Sequence, residues 1–152
     1  MATWSDFEAA EPVFAARVRA LFELRKHKTM ATLRQDGSPR ISGIEVEFSA
    51  GEVWLGMMPG SIKVRDLRRD ARVAIHGPTV DPPEMEPSGW PGEAKMAGVA
   101  VEVDAPTGAH PPAHVFRIEL HEVVLTHVSP VPHRLVIESW HPGRGLGRQE
   151  RE

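Results

Sequence analysis

Short strand-like segments separated by turn-forming residues fill most of this chain, and they constrain its fold more than any other feature. Ile44, Val46 and Phe48 alternate with Glu45 and Glu47, which is the two-residue period of a half-buried strand. Further strand-like segments lie at 29–34, 53–55, 73–75, 97–103, 115–119, 122–128 and 134–139. Strands at this short spacing predict a mainly β, antiparallel, Greek-key-like barrel or sandwich of six to eight strands. A doubly wound α/β sheet is disfavoured because full-length helices do not alternate with the strands.

Three segments predict helix instead. Ser5 and Glu8 have the spacing of a capping box, which indicates a short helix at the start of the chain. Apolar residues at helical spacing behind Pro12 predict a helix over about 11–26. Ser61 is placed to cap a short helix after the third strand.

The length of 152 residues favours one domain, which we place at residues 1–142. Five prolines and three glycines between residues 77 and 92 indicate a long irregular loop. A long loop of this kind is usually functional or disordered, and we ask whether it closes over a ligand. The polar, glycine-rich residues 143–152 predict a loosely held C-terminal tail.

The composition excludes several classes of function. The chain has no cysteine, so disulfide scaffolds, thiolate metal sites and cysteine nucleophiles are excluded. Its net charge of −3 disfavours general nucleic-acid binding, and no apolar stretch is long enough to span a membrane. The first residues lack the pattern of a secretory signal. We therefore expect a cytoplasmic protein without a nucleic-acid or membrane partner.

The segment 59–72 carries the clearest signal of a ligand site. Its five basic residues outnumber its two acidic ones, and a helix begins at Ser61. The N-terminus of a helix favours an anion, so the hydroxyl of Ser61 and the ammonium of Lys63 would complete a phosphate cradle. Arg40 would reach the same cradle if the second and third strands pair. The alternative interpretation is an exposed helix with ion pairs such as Asp66 to Arg69.

The histidines and tryptophans leave alternatives open. The chain has eight histidines, but His110 and His114 are separated by two prolines, which prevents the helical pair of a zinc protease, so we predict no metal site. Trp54, Trp90 and Trp140 belong either to the core or to a stacking wall for a planar ligand, with core favoured for Trp54.

Taken together, three segments resemble the pyridoxamine 5′-phosphate oxidase-like family, whose members are FMN-binding split β-barrels. The segments are Thr32–Ser42 with its Asp-Gly-Ser-Pro-Arg run, Val53–Leu55, and Gly60–Val73 with Ser-Ile-Lys followed by Leu-Arg-Arg-Asp. The strong match covers roughly residues 28–76 of this chain. The resemblance implies a split β-barrel with an N-terminal helix and a short helix after the third strand. It also implies a homodimer with two cofactor sites at the subunit interface.

The resemblance further implies an FMN-dependent oxidoreductase that transfers hydride to or from a small substrate. Lys63 and Arg40, helped by Ser61, would bind the cofactor phosphate, and Ser42 with the neighbouring backbone at Ile41 would face the ring. Met57, Met58 and Trp140 complete the expected cofactor-binding set. No residue is identified as catalytic.

Three alternatives accompany this hypothesis. Many FMN-binding members carry a hydroxyl residue where this chain has Met57 and Met58, and these methionines with Ile62 suit the deazaflavin F-420. Other proteins of this fold bind haem, for which the axial ligand would come from His110, His114, His127 or His141. The last alternative is a non-catalytic carrier of a phosphorylated ligand.

Overall fold

A computed structural model describes residues 1–105 and 113–152 of the protein. Within these ranges the chain forms three α-helices and eight strands. The helices are α1 (Trp4–Ala10), α2 (Pro12–Phe22) and α3 (Ile62–Arg69). The strands are β1 (His27–Leu33), β2 (Pro39–Ser49), β3 (Glu52–Met57), β4 (Arg72–His76), β5 (Glu93–Val103), β6 (His114–Val128), β7 (Leu135–His141) and β8 (Gly145–Arg151). None of the described helices is long and apolar enough to cross a membrane.

Six of the strands close into an antiparallel barrel. Their order is β3-β2-β1-β4-β5-β6, and β3 pairs with the first part of β6 to close the ring. The second part of β6 pairs with β7, which pairs with β8, so these two strands extend the sheet beyond the barrel. The predicted mainly β split barrel is therefore confirmed, with α3 between β3 and β4 as expected.

Aromatic side chains join the N-terminal helices to the barrel. The rings of Trp4 and Phe48 are 4.7 Å apart, and the rings of Phe7 and Trp140 are also 4.7 Å apart. All four side chains are buried, with Trp140 only 4% exposed. Burial of such large apolar side chains is the main favourable contribution to folding, so α1 and α2 form one side of the core.

The N-terminal helices differ from the sequence prediction in extent. Thr3, not Ser5, caps α1: its Oγ accepts a hydrogen bond from the Asp6 amide, and the Asp6 carboxylate accepts one from the Thr3 amide. The single helix predicted over 11–26 is shorter and ends at Phe22, after Pro12 has started it. Lys28 accounts for part of the difference, because its ammonium donates to the carbonyls of Arg25 and Lys26 and holds that segment as a turn.

The predicted strands 115–119 and 122–128 are one continuous strand, β6. A β-bulge makes this possible: Ala97 of β5 lies opposite Glu122, whereas Gly98 lies opposite Leu120, so His121 is an extra residue. Leu120 and Val123 both face the core, which changes the alternation by one position and hides the continuity of the strand in the sequence.

The C-terminal segment also differs from the expected loose tail. Residues 145–151 form β8, which pairs with β7 along its whole length. Its side chains are almost all exposed, so no buried face imposes an apolar alternation on the sequence. The division into a domain over 1–142 and a terminal segment stays a prediction. The segment 77–92 is irregular as predicted, apart from one 3₁₀ turn at Pro87–Gly89.

Candidate functional site

A buried carboxylate fixes helix α3 against the barrel. Asp66 is 2% exposed and accepts hydrogen bonds from Thr32 Oγ1 at 2.7 Å, Arg40 Nε at 2.7 Å and Arg69 Nη2 at 3.0 Å. Burial by itself raises the pKa of Asp66, but the hydrogen bonds from Arg40, Thr32 and Arg69 outweigh it and hold that pKa below its ordinary value. Asp66 therefore links β1, β2 and α3 as a carboxylate.

Lys63 lies on the first turn of α3 and reaches the edge of β2. Its ammonium donates a hydrogen bond to the Gly43 carbonyl at 3.1 Å. Within the described residues it makes no ion pair, so its charge is not neutralised by a neighbouring carboxylate. Ser61 occupies the N-cap position, but its hydroxyl donates to the Met58 carbonyl at 2.8 Å and does not cap the helix. The hydroxyl and ammonium are thus held at the same end of the barrel.

A groove of about 380 Å³ crosses the outer surface of the barrel. Ile41, Ala31, Ala74 and Ala97 line it, and the strand register places each directly opposite the next across β2, β1, β4 and β5. Small side chains in consecutive strands make a flat apolar floor, to which a planar group can lie close. We call this depression the alanine groove. Thr29, which also lines it, is the register partner of Gly43, so Lys63 lies at its β2 end.

Titratable side chains gather at the opposite end of the alanine groove. His76, Lys95 and Glu122 line it there. Glu122 Oε2 lies 3.5 Å from Nε2 of His141, and His76 Nε2 lies 3.7 Å from a carboxylate oxygen of Glu93. The groove therefore has a basic β2 end, an apolar floor and a mixed polar end on β4 to β6.

A second groove, of about 830 Å³, opens on another part of the barrel. Lys28, Val46, Trp54, Leu55 and Val115 are among its lining residues. The indole N–H of Trp54 donates to the Ser49 carbonyl at 3.0 Å. The Lys28 ammonium is buried and turned toward backbone carbonyls, and this burial lowers its pKa. This groove is larger than the alanine groove, but its lining residues do not form a floor of small side chains.

The predicted site residues fall into two groups. Lys63, Ser61, Arg40 and Ser42 lie around the β2 edge, where Arg40 uses Nε for Asp66. Ile41 and Met58 are 74% and 72% exposed.

Met57 and Trp140, in contrast, are buried in the core. The structure shows where these side chains lie, and their roles in binding a cofactor stay predictions.

The histidines considered as haem ligands have other partners where the structure describes them. His127 Nε2 lies 2.8 Å from Glu138, which also binds Arg17, and His114 lies 3.7 Å from Glu102. His110 lies outside the described residues. Residues 1–105 and 113–152 contain no cluster of three His, Asp or Glu side chains that could hold a metal ion.

Sequence reasoning missed the alanine floor and the polar end of its groove. Single alanines on separate strands carry no local signal, and only the register brings Ala31, Ala74 and Ala97 into one row. Glu122 was hidden for the same reason, because the bulge at His121 decides which face it occupies. The sequence predicted an ion pair between Asp66 and Arg69, but it did not predict that Asp66 is buried.

Comparison with solved structures supports the fold. A pyridoxamine 5′-phosphate oxidase-related FMN-binding protein of Nostoc punctiforme PCC 73102 matches with a TM-score of 0.63 and 9% identity, over 93% of this chain and 96% of that one. PhzG of Burkholderia lata 383, in complex with tetrahydrophenazine-1-carboxylic acid, matches with a TM-score of 0.62 and 14% identity, over 97% and 95%. A heme-binding protein of Mycobacterium smegmatis matches with a TM-score of 0.54 and 13% identity, over 90% and 86%.

No family model matches the sequence, and no curated protein matches it. The chain thus has the split-barrel fold of the pyridoxamine 5′-phosphate oxidase-related proteins.

Proposed function

We propose that this chain binds FMN in the alanine groove and acts as a flavin-dependent oxidoreductase on a small molecule. The observation that carries the proposal is the order of features along the groove: beside one end an ammonium, that of Lys63, which has no carboxylate partner among the described residues, then a floor of small side chains. A flavin nucleotide has a matching order, with a doubly charged phosphate at one end and a planar ring system at the other.

The residues present fit the phosphate. Lys63 would donate to it, and an ammonium on the first turn of a helix adds to the favourable potential that the helix itself provides. Ser61 lies two residues before Lys63 and would supply a hydroxyl. Arg40 uses only its Nε for Asp66 within the described part of the chain, which leaves its terminal nitrogens able to donate to an anion.

The residues present also fit the ring. Ala31, Ala74 and Ala97 present only methyl groups, and Ile41 covers the β2 side of the floor. Burial of a flat apolar surface against such side chains favours binding without any specific hydrogen bond. The β2 backbone at Ile41 lies at the edge of this floor and would orient the ring, whereas the side chain of Ser42 points to the opposite face, with its register partner Met30.

The bound flavin would accept or donate hydride, and the protein would supply orientation and charge. Lys63 fixes one end of the cofactor, so the position of the ring along the row of alanines is set by the length of the molecule. The substrate would then lie over the ring at the β4 to β6 end. Positioning of the two reacting groups is itself a large part of the catalysis that such a site can provide.

Two other ligands are favoured by particular observations. Met58 and Ile62 are exposed beside Lys63 and would suit the deazaflavin F-420. Of the candidate haem ligands that the structure describes, His141 lies beside the polar end of this groove, 3.5 Å from Glu122, and would be the one to bind haem iron there. A non-catalytic carrier of a phosphorylated ligand would use Lys63 in the same way but would show no turnover.

A comparison of FMN with riboflavin, which lacks the phosphate, tests the assignment. The absorption spectrum of the purified protein and titrations with FMN, F-420 and haem identify the cofactor first. Lys63→Ala should then weaken FMN binding at least tenfold and leave riboflavin binding unchanged, because a hydrogen bond to a charged group contributes about 1.5–3 kcal/mol. Lys26→Ala, which removes an exposed ammonium elsewhere, is the control. Equal FMN dissociation constants for Lys63→Ala and the wild type would contradict the proposal.

A homodimer is part of the same proposal. Ile41, Met58 and Ile62 are large apolar side chains that are more than half exposed around the phosphate end of the groove. A second copy that covered them would remove apolar surface from water and would enclose the cofactor.

A further inference from the structure

The β-bulge in β6 lies beside the alanine groove and determines what its polar end contains. Without the bulge, with His121 paired in the regular register, strict alternation would continue from Leu120 and would turn Glu122 toward the core. With it, Glu122 lies on the outer face, opposite Ala97 at the end of the alanine row.

Strand β5, which pairs with β6 at this point, accommodates the bulge. A Cβ atom at Gly98 would lie 2.0 Å from the carbonyl oxygen of Glu119, a distance that no side chain tolerates. Gly98 therefore allows β5 and β6 to approach at the point where the register shifts. Bulges are frequent next to active sites, where they redirect a side chain.

Glu122 is also held in place from the adjacent strand. Its Oε2 lies 3.5 Å from Nε2 of His141, the residue opposite it on β7, and the His121 and His141 rings are 6.5 Å apart. Its side chain remains 37% exposed, so a molecule in the groove can reach the carboxylate. Lys95 lines the groove from β5 but makes no ion pair with Glu122 within the described residues.

The strand spacing places Glu122 beyond the proposed ring position. Neighbouring strands lie about 4.8 Å apart, so the four steps from Ile41 to Glu122 cover roughly 19 Å along the curved surface of the barrel. A cofactor with its phosphate on Lys63 and its ring over Ala31 and Ala74 would leave the space over Ala97 for a substrate. Glu122 closes that space.

From this order we propose that Glu122 is a catalytic residue that exchanges a proton with the substrate, and that His141 is a positioning residue for its carboxylate. The inference rests on the proposed function. In the oxidative direction, a C–H bond of the substrate breaks and its hydrogen leaves with two electrons as hydride to the flavin. A neighbouring O–H or N–H bond breaks, its proton passes to Glu122, and a C=O or C=N bond forms. The substrate is oxidised and the flavin is reduced.

The reduction potential of bound FMN tests this assignment without a known substrate. A carboxylate two strand steps, about 10 Å, from the ring still opposes the negative charge that the flavin gains, so Glu122→Gln should favour the reduced form roughly tenfold. Glu119→Gln is the matched control, since Glu119 lies on the same strand before the bulge and binds Arg117.

The two proposals fail in different ways. If Glu122→Gln binds FMN as the wild type does but has the same reduction potential, the assignment of Glu122 is overturned and the flavin site stands. If the wild type binds no FMN, the proposed function and the role of Glu122 are both overturned. The circular dichroism spectrum of Glu122→Gln, compared with that of the wild type, shows that the variant is folded.

Discussion

Replacement of Asp66 by asparagine should destabilise the fold and should do so in a pH-dependent way. Asp66→Asn keeps the size of the side chain and removes its charge. Removal of one partner from a buried ion pair costs about 3–5 kcal/mol. The side chains of Arg40 and Arg69 are 24% and 37% exposed, so water can partly solvate them when the carboxylate is gone. We therefore expect a loss of about 2–3 kcal/mol in the free energy of unfolding.

The pH dependence follows from the direction of the pKa shift. The pKa of Asp66 is lowered in the folded state, so its contribution is complete above the unfolded pKa of roughly 3.9 and is lost as the pH falls through the folded value. The difference between wild type and Asp66→Asn should be constant near neutral pH and should shrink in acid.

Urea unfolding followed by tryptophan fluorescence measures this difference at each pH. Asp70→Asn is the control, because Asp70 pairs with Arg72 in an exposed position although this pair lowers its pKa to about 2. We expect Asp70→Asn to leave the unfolding free energy almost unchanged. A difference for Asp66→Asn below about 0.5 kcal/mol, or one that grows in acid, would refute the role given to Asp66.

Two further predictions concern the bulge and the oligomeric state. Gly98→Ala should lower the free energy of unfolding by about 3 kcal/mol or more, because the new methyl group meets the Glu119 carbonyl. Thermal unfolding measures this loss, with Gly147→Ala, whose added methyl group has room, as the control. Equal melting temperatures for the two variants would contradict the prediction. Ile41→Asp should convert the proposed homodimer to a monomer, as measured by size-exclusion chromatography with light scattering. Val13→Asp, which changes an equally exposed residue on α2, should leave the dimer intact. A monomeric wild type would refute the dimer.

Local patterns were sufficient to predict much of the fold. The alternation in β2 and the Asp-Gly turn before it lie within a few residues of each other, and each is stabilised by contacts that the local sequence encodes. The split β-barrel with a short helix after the third strand followed from the resemblance of residues 28–76, and the structure neighbours confirm the fold.

The elements that sequence reasoning missed depend on distant contacts. The bulge at His121 is stable only because Gly98 permits the approach of β5, and β8 exists only because β7 offers a free edge. The same applies to the site. Lys63 was predicted from a local motif, whereas the groove floor and the position of Glu122 depend on the register of strands that are far apart in the chain.

The closure of the barrel has a consequence for the order of folding. Four of the six pairings in the barrel join strands that follow each other along the chain, and these close comparatively short loops. The pairing of β1 with β4 passes over two strands, and so does the pairing of β3 with β6, which joins Gly56 to Val115 and spans the longest stretch of chain. Contacts between distant parts of a chain form slowly, since a large loop must be ordered first. Until that step the facing edges of β3 and β6 are unpaired, and in this interval two chains at high concentration would compete with each other for the same hydrogen bonds.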